Sequence, residues 1–246
     1  MIEPRNVFLT GGTGYIGRRL ATELFRRGHV VRTLVRQGSE SRLPVGSAPI
    51  GGDALDRRTY GKRVAPSDTF VHLVGVSHPG PTKADQFLTV DLASAREAIA
   101  STQAAGVKHF VYVSVAHPAP VMKAYIAARR EVETLIRMSG VNATVLRPWY
   151  VLGPGHNWPM LLLPLYRLAE LVPITRPGAR RLGLVTLEQL TRTLVRVIES
   201  PASGMRILEV PDIRRGQLHA AGQGLGSSSL GDPGNGTVRG YRSPHS

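Results

Sequence analysis

Along this chain short, dense apolar runs alternate with longer stretches in which apolar positions recur every three or four residues. That alternation predicts strands separated by amphipathic helices. The first run predicts a strand over Asn6–Thr10, and the next stretch a helix over Tyr15–Arg27. Ile16, Leu20, Leu24 and Phe25 share one face of that helix, arginines take the other, and Gly28 supplies its C-terminal stop. Strands follow at His29–Arg36, Ala48–Gly51, Phe70–Val76, His109–Val115 and Ala143–Val151. Helices are expected at Gln86–Ala105, closed by Gly106, and at Lys123–Ser139, closed by Gly140. Phe70–Val76 is almost wholly apolar, as a strand covered on both faces must be, and such strands belong to parallel sheets. The fold class implied is α/β, a doubly wound parallel sheet.

Beyond Leu152 the alternation weakens. Gly153, Pro154, Gly155 and Pro159 mark a boundary between a core at 1–152 and a small lid or substrate subdomain at 153–215. In that subdomain a helix is expected over Met160–Leu171, a strand near Leu182–Val185, a helix over Leu187–Glu199 and a last strand over Arg206–Val210. From Gly216 to residue 246 the apolar period is lost in Gly, Ser and Pro, which reads as a disordered tail.

Composition narrows the chemistry. The absence of cysteine removes disulfides, thiolate metal sites and cysteine nucleophiles, and no metal site is expected. Neither a secretory leader nor an apolar stretch long enough to span a bilayer is read, so a cytoplasmic protein is expected. A net charge of +14 invites a nucleic-acid reading. The arginines are scattered along helices, however, and aromatic residues are sparse, so the charge fits an arginine-rich proteome better, while a positive field still helps recruit a phosphate-bearing cofactor.

Ligands of a doubly wound sheet bind at the carboxyl ends of its strands. There the first strand runs into Gly11-Gly12-Thr13-Gly14-Tyr15-Ile16-Gly17, and a helix follows. Gly11 makes the turn, Gly14 admits a pyrophosphate and Gly17 allows close packing, while the bare helix N-terminus attracts the anion. Arg36 ends the second strand without a carboxylate nearby, which favours the 2′-phosphate of NADP over the 2′-hydroxyl of NAD. Asp53 either accepts a bond from an adenine amino group or caps the helix that follows it. Gly75 suggests close approach of backbone to cofactor, and His72 reads as a packed strand residue. Ser114 ends the fifth strand, where its hydroxyl could polarise a carbonyl. Tyr125 and Arg129 are one helical turn apart, so a fixed cation stands beside a phenol that could act as acid or base.

Together, Thr10–Gly17, Gly52-Asp53, Leu73-Val74-Gly75, the run Gly106–Ser114 and Leu146-Arg147-Pro148 resemble the atypical or extended short-chain dehydrogenase/reductases. The nearest flavour is the NmrA-like and complex-I-accessory-subunit-like branch, of NAD-dependent epimerase/dehydratase type. The resemblance implies a Rossmann fold, NAD(P) binding, Asp53-Ala54 near the adenine, Leu73 to Gly75 along the ribose and Pro148 at the nicotinamide end. It matches Ser114 and Tyr125 to the family's serine and tyrosine. Arg129 stands where the family has lysine, and Asp91 where many relatives have asparagine. Two functions follow as expectations, beside a third in which charge alone drives binding to nucleic acid or an anionic membrane. One is an NADP-preferring oxidoreductase or epimerase/dehydratase-like enzyme using Tyr125, Ser114 and Arg129. The other is a non-catalytic NAD(P)-binding redox sensor or accessory subunit. The segment from Trp149 to Arg181 is expected to line the substrate pocket, and Trp158 and its leucines suit either an apolar small molecule or a protein contact.

Overall fold

The computed structural model describes residues 3–76, 80–119, 121–155 and 182–218. Seven parallel strands form one sheet: β1 (Asn6–Thr10), β2 (Val30–Val35), β3 (Ala48–Gly51), β4 (Thr69–His72), β5 (His109–Val113), β6 (Ala143–Arg147) and β9 (Met205–Glu209). Their order is β3-β2-β1-β4-β5-β6-β9, so the chain reverses direction across the sheet between β1 and β4. A crevice opens at such a reversal, outside the carboxyl ends of the two strands. A two-stranded parallel sheet, β7 (Tyr150–Leu152) with β8 (Leu184–Thr186), stands apart.

Because successive strand residues face opposite sides, each strand feeds two cores. On one face Val7, Leu9, Val71, Val111 and Leu208 pack against Leu20 and Leu24 of α1 (Tyr15–Arg26). Leu190 and Leu194 join them from a later helix, Leu187–Glu199. On the other face Phe8, Phe70 and Phe110 run side by side, with centroids 5.1 and 5.7 Å apart. That row is covered by Ala95 and Ile99 of α3 (Ala93–Ala104) and by Val132 and Ile136 of α4 (Lys123–Ser139). α3 is reached through a short turn, α2 (Ala84–Gln86), and a π-helical segment, Phe87–Leu92. The late helices are α5 (Leu187–Glu199) and α6 (Val210–Arg215).

Three departures from the expected elements have local causes. The fourth strand stops at His72, and Leu73–Val76 leave the sheet where the crevice begins. Pro148 cannot donate to a ladder, so the single strand expected over Ala143–Val151 breaks into β6 and β7. Val210 does not close the last strand but opens α6, with Pro211 in its first turn. The helix expected over Met160–Leu171, Trp158 and the tail after Leu218 lie outside the described residues.

Candidate functional site

The crevice at the reversal is a cavity of about 590 Å³. Gly11, Thr13, Gly14, Arg36, Asp53, Ala54, Leu73, Val74 and Gly75 line it, gathered from the ends of β1, β2, β3 and β4. Arg42 and Val90 also reach it. One signal pointed to Arg42: a second arginine close after Arg36, on the same connection.

The glycine turn is built for close approach. Gly11 has φ +77°, and a Cβ there would lie 2.7 Å from the Leu73 backbone. Gly14 donates to the Gly11 carbonyl at 3.0 Å and heads α1 in extended conformation, with no side-chain cap. No acidic residue sits in the first turn of α1, so its end keeps the positive character that an anion seeks. A Cβ on Gly17 would overlap the Gly11 carbonyl and come within 2.7 Å of the Gly12 Cα, so Gly17 lets the helix pack on the turn itself. Gly12 is buried against the Thr33 side chain. Ile16 packs into the core, and Tyr15 faces a second, outer cavity. A 590 Å³ cleft bounded by a capless helix end, a glycine cradle and arginines fits a dinucleotide.

At the ends of β2 and β3 Arg36 is exposed at the cavity wall. Asp53 accepts a bond from the Leu55 amide at 3.0 Å, which makes it a turn-forming carboxylate. Asp56, not Asp53, caps the short 3-10 turn that follows.

Beside Gly75, Arg129 and Asp91 meet. Arg129 ion-pairs with Asp91 at 2.5 Å, and both are buried, Arg129 being 7% exposed. The guanidinium also donates to the Tyr112 hydroxyl at 3.0 Å and the Val113 carbonyl at 2.9 Å. Its carbon lies 5.0 Å from the Tyr125 ring centroid, over the ring. Burial opposes the guanidinium's charge, but Tyr112, Tyr125 and Asp91 together more than offset it, so Arg129 is held cationic. Asp91 also accepts from the Val76 amide at 3.1 Å, tying the pair to the cavity wall. Gly75 has a packing reason besides the approach expected of it: a Cβ there would run into the Arg129 guanidinium and lie 3.0 Å from Asp91. Tyr125 is half-buried, its ring 5.1 Å from that of Phe87.

Ser114 is buried, and its hydroxyl donates to Glu133 at 2.6 Å. To polarise a carbonyl it would have to leave that carboxylate. Glu133 also holds Arg147 through both oxygens and sits 3.5 Å from His117. Arg147 bridges onward to Glu209 at 2.7 Å. Burial alone would raise the Glu133 carboxyl, but bonds from His117, Arg147 and Ser114 bring it down to about 2. This cluster was not anticipated, although its signal was present. Glu133 is a carboxylate one turn beyond Arg129, in the buried stripe of α4. Pro148 follows β6, and its carbonyl accepts from the Ala116 amide at 2.9 Å. His72 is packed as expected. It lies between Phe110 and Tyr112, touches Thr10 and Ser94, and is pushed by burial to about 3, hence neutral. Among the described residues no cluster could hold a metal ion, and no helix is long and apolar enough to cross a membrane.

Comparisons with known proteins agree with this geometry. Residues 11–156 match the family described as NAD(P)H-binding. A ceramide reductase from Caulobacter vibrioides is 28% identical over 216 residues, 85% of this chain and 65% of that protein. A 4-hydroxy-2-methyl-3-oxo-4-farnesyl-3,4-dihydroquinoline-1-oxide ketoreductase from Stigmatella aurantiaca is 27% identical over 168 residues, 59% of this chain and 50% of that protein. The chain thus spans less than two thirds of the length of these relatives. The crystal structure of the Bordetella bronchiseptica enzyme WbmH in complex with NAD+ superposes with a TM-score of 0.64 at 22% identity, covering 82% of this chain and 75% of that one. With residues 11–156, more than half its length, matching that family, this chain belongs to the NAD(P)H-binding family.

Proposed function

We propose that this protein is an NADP(H)-preferring reductase acting on a carbonyl group carried by an apolar molecule. The observation that carries the proposal is the stacking of Tyr125 on the fixed Arg129 cation, beside the Gly75 end of the cofactor cavity. When bound, the nicotinamide supplies the hydride. Gly11 to Gly17 and the α1 N-terminus hold the pyrophosphate. Arg36 meets the 2′-phosphate. Asp53 and Ala54 flank the adenine, Leu73 to Gly75 follow the ribose, and Pro148 bounds the nicotinamide end.

Tyr125 gives its hydroxyl proton to the carbonyl oxygen, and Arg129 stabilises the phenolate left behind. An arginine does not release a proton in a protein, so Tyr125 regains its proton from solvent. Ser114, bound to Glu133, positions the end of β5 beneath the site. The apolar substrate class rests on the farnesyl group named in one relative's substrate and the ceramide named in the other.

One observation favours a second function, a non-catalytic NAD(P) sensor or accessory subunit. Two Arg129 nitrogens are already engaged, Nη1 by Tyr112 and Val113 and Nη2 by Asp91.

One experiment separates these readings. NADPH and NADH are titrated by fluorescence against the wild type, Arg36→Ala and Tyr125→Phe, and ketone reduction is then assayed. The wild type should prefer NADPH, and Arg36→Ala should lose that preference. Tyr125→Phe should bind NADPH normally and lose at least about 100-fold in turnover. NADH binding as tight as NADPH overturns the cofactor preference. Equal turnover with and without the Tyr125 hydroxyl overturns its acid/base role.

A further inference from the structure

A second cavity, of about 540 Å³, lies outside the cofactor cleft, between the first turns of α1 and the connection after β2. Its rim carries Arg18, Arg19 and Arg42, and its apolar floor includes Leu43, Pro44 and Leu187. Among the described residues none of these three arginines pairs with a carboxylate. Glu23, the acidic residue of α1, is occupied by Arg26 and Arg27. Glu40, on the short 3-10 turn that ends in Arg42, subtracts one charge and leaves the rim cationic. Val45 follows Pro44 at the tip of the same connection and is 100% exposed.

An unpaired cationic rim around an apolar floor, beside a projecting apolar side chain, is what the interface of an anionic bilayer complements. The phosphates meet the arginines, and the apolar tip enters the headgroup–acyl boundary. A chain of net charge +14 approaches such a surface favourably. The geometry points to this face as a peripheral docking surface for anionic phospholipid, with one headgroup phosphate seated between Arg18, Arg19 and Arg42. Docked this way, the protein lies on the bilayer with its cofactor cleft alongside, because Arg42 borders both cavities.

The test is co-sedimentation of the full chain, loaded with NADPH, with vesicles of phosphatidylcholine alone or mixed with phosphatidylglycerol. Binding should require the anionic lipid and weaken as salt is raised. Each basic side chain at such a surface changes partitioning about fivefold, so Arg18→Gln/Arg19→Gln should weaken it about 25-fold. Val45→Asp should weaken it as well. Neither variant touches a residue lining the cofactor cleft, so NADPH titration of each should match the wild type and report an intact fold. Equal sedimentation with both vesicle types overturns the proposal, as does wild-type binding by the double variant. Glycerol phosphate or duplex DNA displacing the protein at concentrations matching the vesicle lipid overturns it too.

Discussion

Replacing Glu133 by glutamine should cost about 3 kcal/mol at neutral pH, and the cost should fade in acid. The side chain is 6% exposed, so solvent screening does little to reduce its interactions. It accepts from Ser114 and Arg147 and lies against His117, which brings its carboxyl from 4.5 to about 2. A difference of about 2.5 units at 1.36 kcal/mol per unit is about 3 kcal/mol. The sign follows from the direction of the shift. A carboxyl lowered in the folded state contributes stability that is complete above its unfolded value and is lost as pH falls through its folded value. The window therefore runs from about pH 4.5 down to about pH 2. Urea unfolding of the wild type and Glu133→Gln, followed by far-UV circular dichroism between pH 7 and pH 3, gives the difference directly. It should be about 3 kcal/mol at pH 7 and about half that at pH 3. Equal midpoints at pH 7, or a difference that does not shrink on acidification, would refute the account of Glu133 as an ionised buried anchor.

Asp91→Asn leaves Arg129 buried without its counter-charge and should destabilise by about 3 kcal/mol in urea unfolding. Combining it with Arg129→Met should give a loss smaller than the sum of the two single losses, and additive losses would show that the pair does not interact. Gly11→Ala demands a left-handed backbone from alanine and drives its Cβ into the Leu73 backbone. It should weaken NADPH binding at least about tenfold by fluorescence titration and lower the melting temperature.

Features set by neighbouring residues were legible in the sequence. Gly28, Gly106 and Gly140 end or follow helices with positive φ, as their places in the pattern implied. The glycine turn lies between β1 and α1 with Gly11 at positive φ, for the same reason. What escaped depends on contacts across the fold. Arg129 was read beside Tyr125 because they share a helix, yet its hydrogen bonds go to Tyr112 and Val113 on β5 and its ion pair to Asp91 before α3. Both departures from the family pattern were visible as single residues. That they compensate one another, charge for charge, appears only when the π-helical segment is laid against α4. Likewise nothing in the local pattern joins the Ser114 hydroxyl to Glu133, nineteen residues on, to which it donates.

The π-helical segment Phe87–Leu92 carries a further consequence. One residue more than an α-helical turn needs shifts the angular phase of everything beyond it by about 100°. Phe87 and Asp91 both face inward, one against Tyr125 and the other against Arg129, while α3 still lays Ala95 and Ile99 on the sheet. The extra residue is thus a phase adjuster that lets one continuous coil serve two surfaces. Deleting a single residue there would preserve the helical character of the segment and yet rotate Asp91 away from its cation. The irregular turn and the buried ion pair are therefore linked: without the extra residue Arg129 would lose the carboxylate that faces it.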